Sequence, residues 1–301
     1  MWLKNLSIAP CLLLSLAAAL LAEEKGRDRE AQASPSSPQF VRIVRNEDGV
    51  PISMDTAIVS YVSADKRPGG LVVDLVGAVH IADKRYFDRL NQLFESYDVV
   101  LYELVAPEGT RIPKDERRRG GHPVTGVQVG FKSLLELEFQ LDCIDYTKNN
   151  LVHADMSPDE FAKSMKDRGE SFMQMFFRMI GQGLAAQAKA PERSSDSDLL
   201  LALFAEDRAL RLKRIIAEQF EDLEGSMAAI EGPDGSTLIT ERNKKALEIL
   251  DRELKAGKRR VAIFYGAGHL PDMEKRLLES FGMQRSTERW LSAWAMQKGG
   301  P

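Results

Sequence analysis

From Phe40 onward, short apolar runs rich in Val and Ile alternate with stretches in which apolar residues recur at helical spacing. Phe40–Val44, Ala57–Val62, Leu71–Val76, Val99–Leu104, Leu151–His153, Val261–Tyr265 and Arg289–Ala295 read as strands. Several are continuously apolar rather than alternating, which predicts strands covered on both faces. Between about Ser157 and Ala229 the pattern changes to helical periods with no good strand. The predicted fold class is therefore α/β, with α+β the alternative: a mixed central sheet flanked by helices, with a helical insertion at about 157–230.

The insertion opens on Ser157-Pro158-Asp159-Glu160, a serine cap with proline in the first turn and a glutamate three residues on. A Met- and Phe-rich run from Phe172 to Ile180 follows, and the loop Ala188–Asp198 separates it from a second helical stretch, Leu199–Leu223. Flexible thioethers in such a run fill irregular core gaps. The alternative is a mobile cover or an adaptable apolar groove.

Ahead of Phe40 the pattern differs. Lys4 precedes an apolar stretch, Cys11–Ala22, that ends at Glu23, Glu24 and Lys25, so residues 1–22 are expected to form a signal peptide. The stretch is short for a membrane span, and an uncleaved signal acting as an anchor is the other possibility. Residues 23–38, with Ser34, Pro35, Ser36, Ser37 and Pro38, read as a flexible linker. The folded domain is expected over 39–298, exported to the periplasm or the outside of the cell. Past the signal the chain keeps one cysteine, Cys143, which can form no internal disulfide and is expected to be a small buried hydrophobe rather than a nucleophile.

With 301 residues, 44% hydrophobic and 29% charged, the chain is large enough for a sizeable core. A formal net charge of -4 provides no basic field to neutralise phosphates, so nucleic acid is not an expected partner.

A search for repeats adds candidate chemistry. Gly77-Ala78-Val79-His80-Ile81-Ala82-Asp83 is matched at identical offsets by Gly266-Ala267-Gly268-His269-Leu270-Pro271-Asp272. Each copy follows an apolar strand and precedes an amphipathic helix. Glycine permits a tight turn at a strand end, and the crevice beyond the carboxyl ends of such strands is where ligands bind in open α/β sheets. His80 and His269 are therefore expected to converge, with Asp83 and Asp272 as helix caps or first-turn acids. Of the other two histidines, His122 lies in an Arg- and Gly-rich loop and is expected to be solvated, whereas His153, directly before the Ser157 helix, is a candidate for the same crevice.

Two further features point inward. Glu103 interrupts the apolar run Val99–Leu104, where a carboxylate needs a cation, a metal or water to offset its desolvation. Arg242 and Asn243 fall in the apolar stripe of a helix starting near Thr237, so Arg242 either pairs with Glu103 or holds a substrate carbonyl or carboxylate. No Gly-x-Ser-x-Gly nucleophile turn, His-Glu-x-x-His helix or phosphate-cradling loop is present.

At these residues, Gly77 to His80, Glu103, Glu241-Arg242-Asn243 and Gly266 to His269, the chain resembles the TraB, PrgY, GumN and Tiki family of metal-dependent hydrolases, over roughly Asp55 to Met296. The resemblance implies both GxxH histidines, the strand glutamate and the helix arginine at one site, and a peptidase acting on peptide or protein substrates. On this basis His80 and His269 are expected to bind a divalent ion, of Mn, Co, Zn or Fe, with Glu103 as third ligand or as base for a water. Arg242 is expected to stabilise an oxyanion, and Asn243 to orient a ligand or the substrate. The alternatives are an exported binding or regulatory protein for a peptide, haem or lipid headgroup, and an esterase on the same fold.

Overall fold

A computed structural model describes residues 39–63, 70–110, 134–171, 201–202, 204–219, 231 and 235–297. The expected signal and linker, His122, the run Phe172–Ile180 and the loop Ala188–Asp198 lie outside them. Strands β1 (Val41–Arg45), β2 (Pro51–Ser63), β3 (Val72–Ala78), β5 (Val99–Tyr102), β7 (Leu151–His153), β8 (Arg260–Gly266) and β9 (Met283–Ala295) form one sheet. A two-stranded ladder, β4 (Ile81–Ala82) with β6 (Glu138–Phe139), stands apart. The described helices are α1 (Lys84–Phe94), α2 (Gln140–Cys143), α3 (Pro158–Asp167), α4 (Arg208–Gln219), α5 (Arg242–Lys255) and α6 (Leu270–Glu279). None is long and apolar enough to cross a membrane.

The sheet is mixed, as the α/β pattern predicts. β3, β8, β5 and β7 lie side by side and parallel. β2 runs antiparallel to β3 and carries β9, also antiparallel, along its other edge. β1 and β3 share the near edge of β2, because Thr56 pairs with both Val41 and Leu291 while Ile58 pairs with both Val76 and Arg289. The β2–β9 pairing lengthens two elements beyond their apolar runs. Pro51–Asp55 and Met283–Glu288 carry too few apolar residues to announce strands, and each pairs with the apolar half of the other strand: Ser53–Asp55 with Ser292–Ala295, and Met283–Glu288 with Val59–Ser63.

β8 occupies the middle of the parallel group, and Val261 through Tyr265 are fully buried. Successive side chains of a strand point to opposite faces. Phe264 meets Phe94 of α1 edge to face at 5.0 Å, while Tyr265 meets the His269 ring at 5.2 Å and interacts electrostatically with Arg242 of α5. The two helices therefore cover opposite faces, as the continuously apolar strands require.

The helix start at Ser157 forms a reciprocal capping box. Ser157 Oγ accepts from the Glu160 N–H at 3.2 Å, and the Glu160 carboxylate accepts from the Ser157 N–H at 2.8 Å. Within the expected insertion Pro158–Asp167 and Arg208–Gln219 are helical, whereas Phe204–Asp207, inside the second stretch expected to be helical, form a turn.

Candidate functional site

Four parallel strands end at one edge of the sheet, and a polar side chain follows each. His80 comes two residues after β3, Glu103 directly after β5, Asp155 two residues after β7 and His269 in a single 3-10 turn, Ala267–His269, after β8. Arg242 and Asn243 reach the same edge from the first turn of α5. A π-helical turn, Thr237–Glu241, leads into that helix, with Ser236 Oγ accepting from the Ile239 N–H at 3.2 Å. Such a turn displaces the following residues from regular α-helical register. Both side chains point inward, with Arg242 3% and Asn243 0% exposed.

The guanidinium organises the group. Arg242 Nη2 donates to Glu103 Oε1 at 2.6 Å and to Asp155 Oδ2 at 2.6 Å, and Nε donates to Asp155 Oδ1 at 2.9 Å. Nη1 is held only by long contacts, 3.4 Å to the Leu238 carbonyl and 3.4 Å to His269 Nε2. The second carboxylate oxygen of Glu103 accepts from the Gly266 N–H at 2.7 Å. Glu103 thus turns into the protein rather than toward solvent. Burial works against ionising it, but Arg242, with His269, His80 and the Gly266 N–H, holds its carboxyl well below the usual carboxylate range. Burial also pushes the His269 imidazole down to about 4, with Arg242 adding to the fall against the opposing pull of Glu103, so the ring is neutral at pH 7.

Asn243 binds His269 twice. Its Oδ1 meets His269 Nδ1 at 2.7 Å and its Nδ2 donates to the His269 carbonyl at 3.0 Å. His80 lies close enough to act on both Glu103 and His269 through space, favouring the ionised carboxylate of Glu103 and the neutral ring of His269. Its loop is fixed by the Gln140 N–H donating to the His80 carbonyl at 2.8 Å, by the β4–β6 ladder, and by Trp294 Nε1 donating to the Ile81 carbonyl at 2.7 Å.

The structure brings Glu103, Arg242, Asn243 and His269 into one hydrogen-bonded group with His80 beside it, and adds Asp155. The only hint of Asp155 in the sequence is a carboxylate two residues before a capped helix, which resembles an ordinary helix-start acid. His153 takes a different place: its Nε2 bonds the Leu104 carbonyl and its ring tilts against Tyr102 at 5.8 Å. The two repeat aspartates differ: Asp272 is a first-turn acid as expected, whereas the Asp83 side chain caps nothing. Asp83 stands at the N-cap of α1, but its carboxylate accepts from Lys213 Nζ at 2.7 Å and the Ala295 N–H at 2.6 Å, without capping the helix. Asp272 is a first-turn acid of α6, and its side chain binds Asn243 Nδ2 at 2.8 Å and Arg276 Nε at 2.7 Å.

Among the described residues no group of three His, Cys, Asp or Glu side chains is arranged around one point as a ready metal shell. A pair is. His269 Nε2 and Glu103 Oε1 stand 3.6 Å apart, near the separation of two ligands each about 2.1 Å from a tetrahedral ion. One is a neutral imidazole and the other a carboxylate, the forms in which these groups act as ligands. Two carboxylates around one guanidinium leave the group with negative charge to offer a cation. The donor pair His269 and Glu103 therefore fits a divalent ion, while His80 is linked to both only through space.

No family model matches the chain, and no curated protein matches it.

Proposed function

We propose that the chain is a divalent-metal-dependent hydrolase of the TraB and Tiki kind, acting on peptide or protein substrates. The observation that carries the reading is the delivery of Glu103, Asp155 and His269 from the carboxyl ends of adjacent parallel strands to one buried arginine, with His80, following a fourth, within electrostatic reach of Glu103 and His269. His80 and His269 would hold the ion, with Glu103 as third ligand or as base for a water; the ion when bound supplies Lewis acidity to a carbonyl and acidity to a water.

The remaining work falls to residues of the chain. Glu103, ionised across the working pH range, uses Oε1 in one of two roles, as third ligand or as the base that takes a proton from the attacking water, while Oε2 stays anchored on the Gly266 N–H. Arg242 is fixed by Asp155 through two hydrogen bonds, so its position does not depend on Glu103 alone. Its Nη1, bound only by 3.4 Å contacts, is the donor free to turn to an oxyanion as an amide or ester carbonyl is attacked. Asn243 holds the His269 ring in place.

The test is protein stripped of metal, reloaded with Mn, Co, Zn or Fe one at a time, and incubated with a mixed peptide library read by mass spectrometry. Cleavage that needs a metal and disappears in Glu103→Gln and in the His80→Ala, His269→Ala double variant is expected. Full metal stoichiometry in that double variant would overturn the ligand assignment, and tight peptide retention without cleavage under every metal would make the protein a binder.

A further inference from the structure

The hydrogen bonds behind His269 have a direction. A carboxylate only accepts, and that of Asp272 is clamped by Arg276 through Nε at 2.7 Å and Nη2 at 3.0 Å. It takes a third hydrogen bond from Asn243 Nδ2 at 2.8 Å. The other hydrogen of that amide goes to the His269 carbonyl at 3.0 Å. A reversed Asn243 would set its oxygen against two oxygens, so the amide orientation is forced. Asn243 Oδ1 then faces His269 Nδ1 at 2.7 Å, and an acceptor there demands a donor. Nδ1 therefore carries the hydrogen. The lone pair is left on Nε2, the atom that faces Glu103 Oε1 and Arg242 Nη1.

The geometry points to Asp272 as the residue that sets the tautomer of His269, acting through Asn243. It touches no reacting atom and is a positioning residue. The role is particular to the second repeat, since Asp83 at the matching offset ties Lys213 and β9 instead. Its importance rests on the reading of His269 as a metal ligand, which needs the lone pair on Nε2; the tautomer itself does not.

Full-length, chelator-treated protein labelled with 15N at histidine shows the tautomer directly in a two-bond 1H–15N spectrum at pH 7, with His269 assigned by the loss of its signals in His269→Ala. The wild type is expected to carry the hydrogen on Nδ1. In Asp272→Asn an amide nitrogen turned toward Asn243 removes one of the two acceptors that orient Asn243, leaving only the His269 carbonyl to hold it, so the hydrogen is expected to shift in part to Nε2. Asp272→Ser, which leaves no buried charge behind, is expected to give a mixture. In both variants the tautomer ratio changes by at least about fivefold, what one net hydrogen bond is worth. The Asp272 side chain keeps 18% of its surface exposed, so both replacements are compatible with the fold. A wild type with the hydrogen on Nε2, or folded variants that keep the wild-type tautomer, overturns the assignment. Neither spectrum depends on metal or turnover, so the failure of the hydrolase reading is separately visible.

Discussion

Gly77 and Gly266 occupy the same place in two copies of one element, yet a methyl group added to each meets different neighbours. At Gly266 it comes within 3.2 Å of Glu103 Oε2 and 3.7 Å of the His269 ring. At Gly77 it meets the Ala57 carbonyl at 3.2 Å and Leu270 at 3.5 Å. Gly266→Ala is therefore expected to displace the carboxylate and weaken metal binding at least about tenfold with modest loss of stability, because local support of a ligand is worth that much. Gly77→Ala presses on backbone and is expected to lower stability by about 1–3 kcal/mol while leaving the metal affinity of the folded protein unchanged. Calorimetric titration with Mn or Zn, alongside urea unfolding, separates the two. Asp155→Ala leaves the buried guanidinium with a single carboxylate and is expected to destabilise by about 3–5 kcal/mol, seen as a shift of the urea midpoint. The offsets of the repeat, the interruption at Glu103 and the place of Arg242 and Asn243 in an apolar stripe were all legible in the sequence, because each breaks or repeats a local pattern. Asp155 was not, because its role depends on β7 lying beside β5, a pairing that no local pattern specifies. The same holds for Asp83 and Asp272, whose partners come from α4, β9 and α5.

Among the elements, α3 was the most completely legible, since a capping box is written in four consecutive residues. Ser157→Ala is expected to cost about 1 kcal/mol and to raise amide exchange in the first turn of α3 before it affects the sheet. Glu160 adds a pH dependence. Its hydrogen bond with Lys245, the Ser157 N–H and the Ser157 hydroxyl hold its carboxyl down at about 2. A carboxyl depressed in the folded state stabilises above the unfolded value and loses that contribution as pH falls toward the folded one. The box is therefore expected to open between about pH 4.5 and pH 2, with most of the effect screened at this exposed position. α5 was legible as to its buried face but not as to its entry, since the π-helical turn Thr237–Glu241 leaves no mark in the spacing of apolar residues. β2 and β9 were recognised only where they are apolar. The polar half of each is a strand because it pairs with the apolar half of the other.

For the molecule as a whole, the class of sheet follows from the pattern, whereas the strand order β3-β8-β5-β7 had to be seen. The buried site makes stability depend on pH. Unfolded, His269 regains its ordinary value of 6.5, so between that pH and about 4 the unfolded chain binds the extra proton. Stability of the metal-free protein therefore falls as pH drops through this interval, by on the order of 3 kcal/mol, and the depressed Glu103 carboxyl continues the fall below it. Urea unfolding at stepped pH is expected to show this slope in the wild type and to lack most of its upper part in His269→Gln. The central place of β8 also bears on how the chain is made. A ribosome that has delivered β1 through β7 has produced a sheet with a gap in its middle, with β3 and β5 each missing the neighbour they share. Until the segment around residue 266 emerges, the growing chain exposes the inner edges of two apolar strands, so it depends on remaining extended, or on being held by a chaperone, for most of its synthesis.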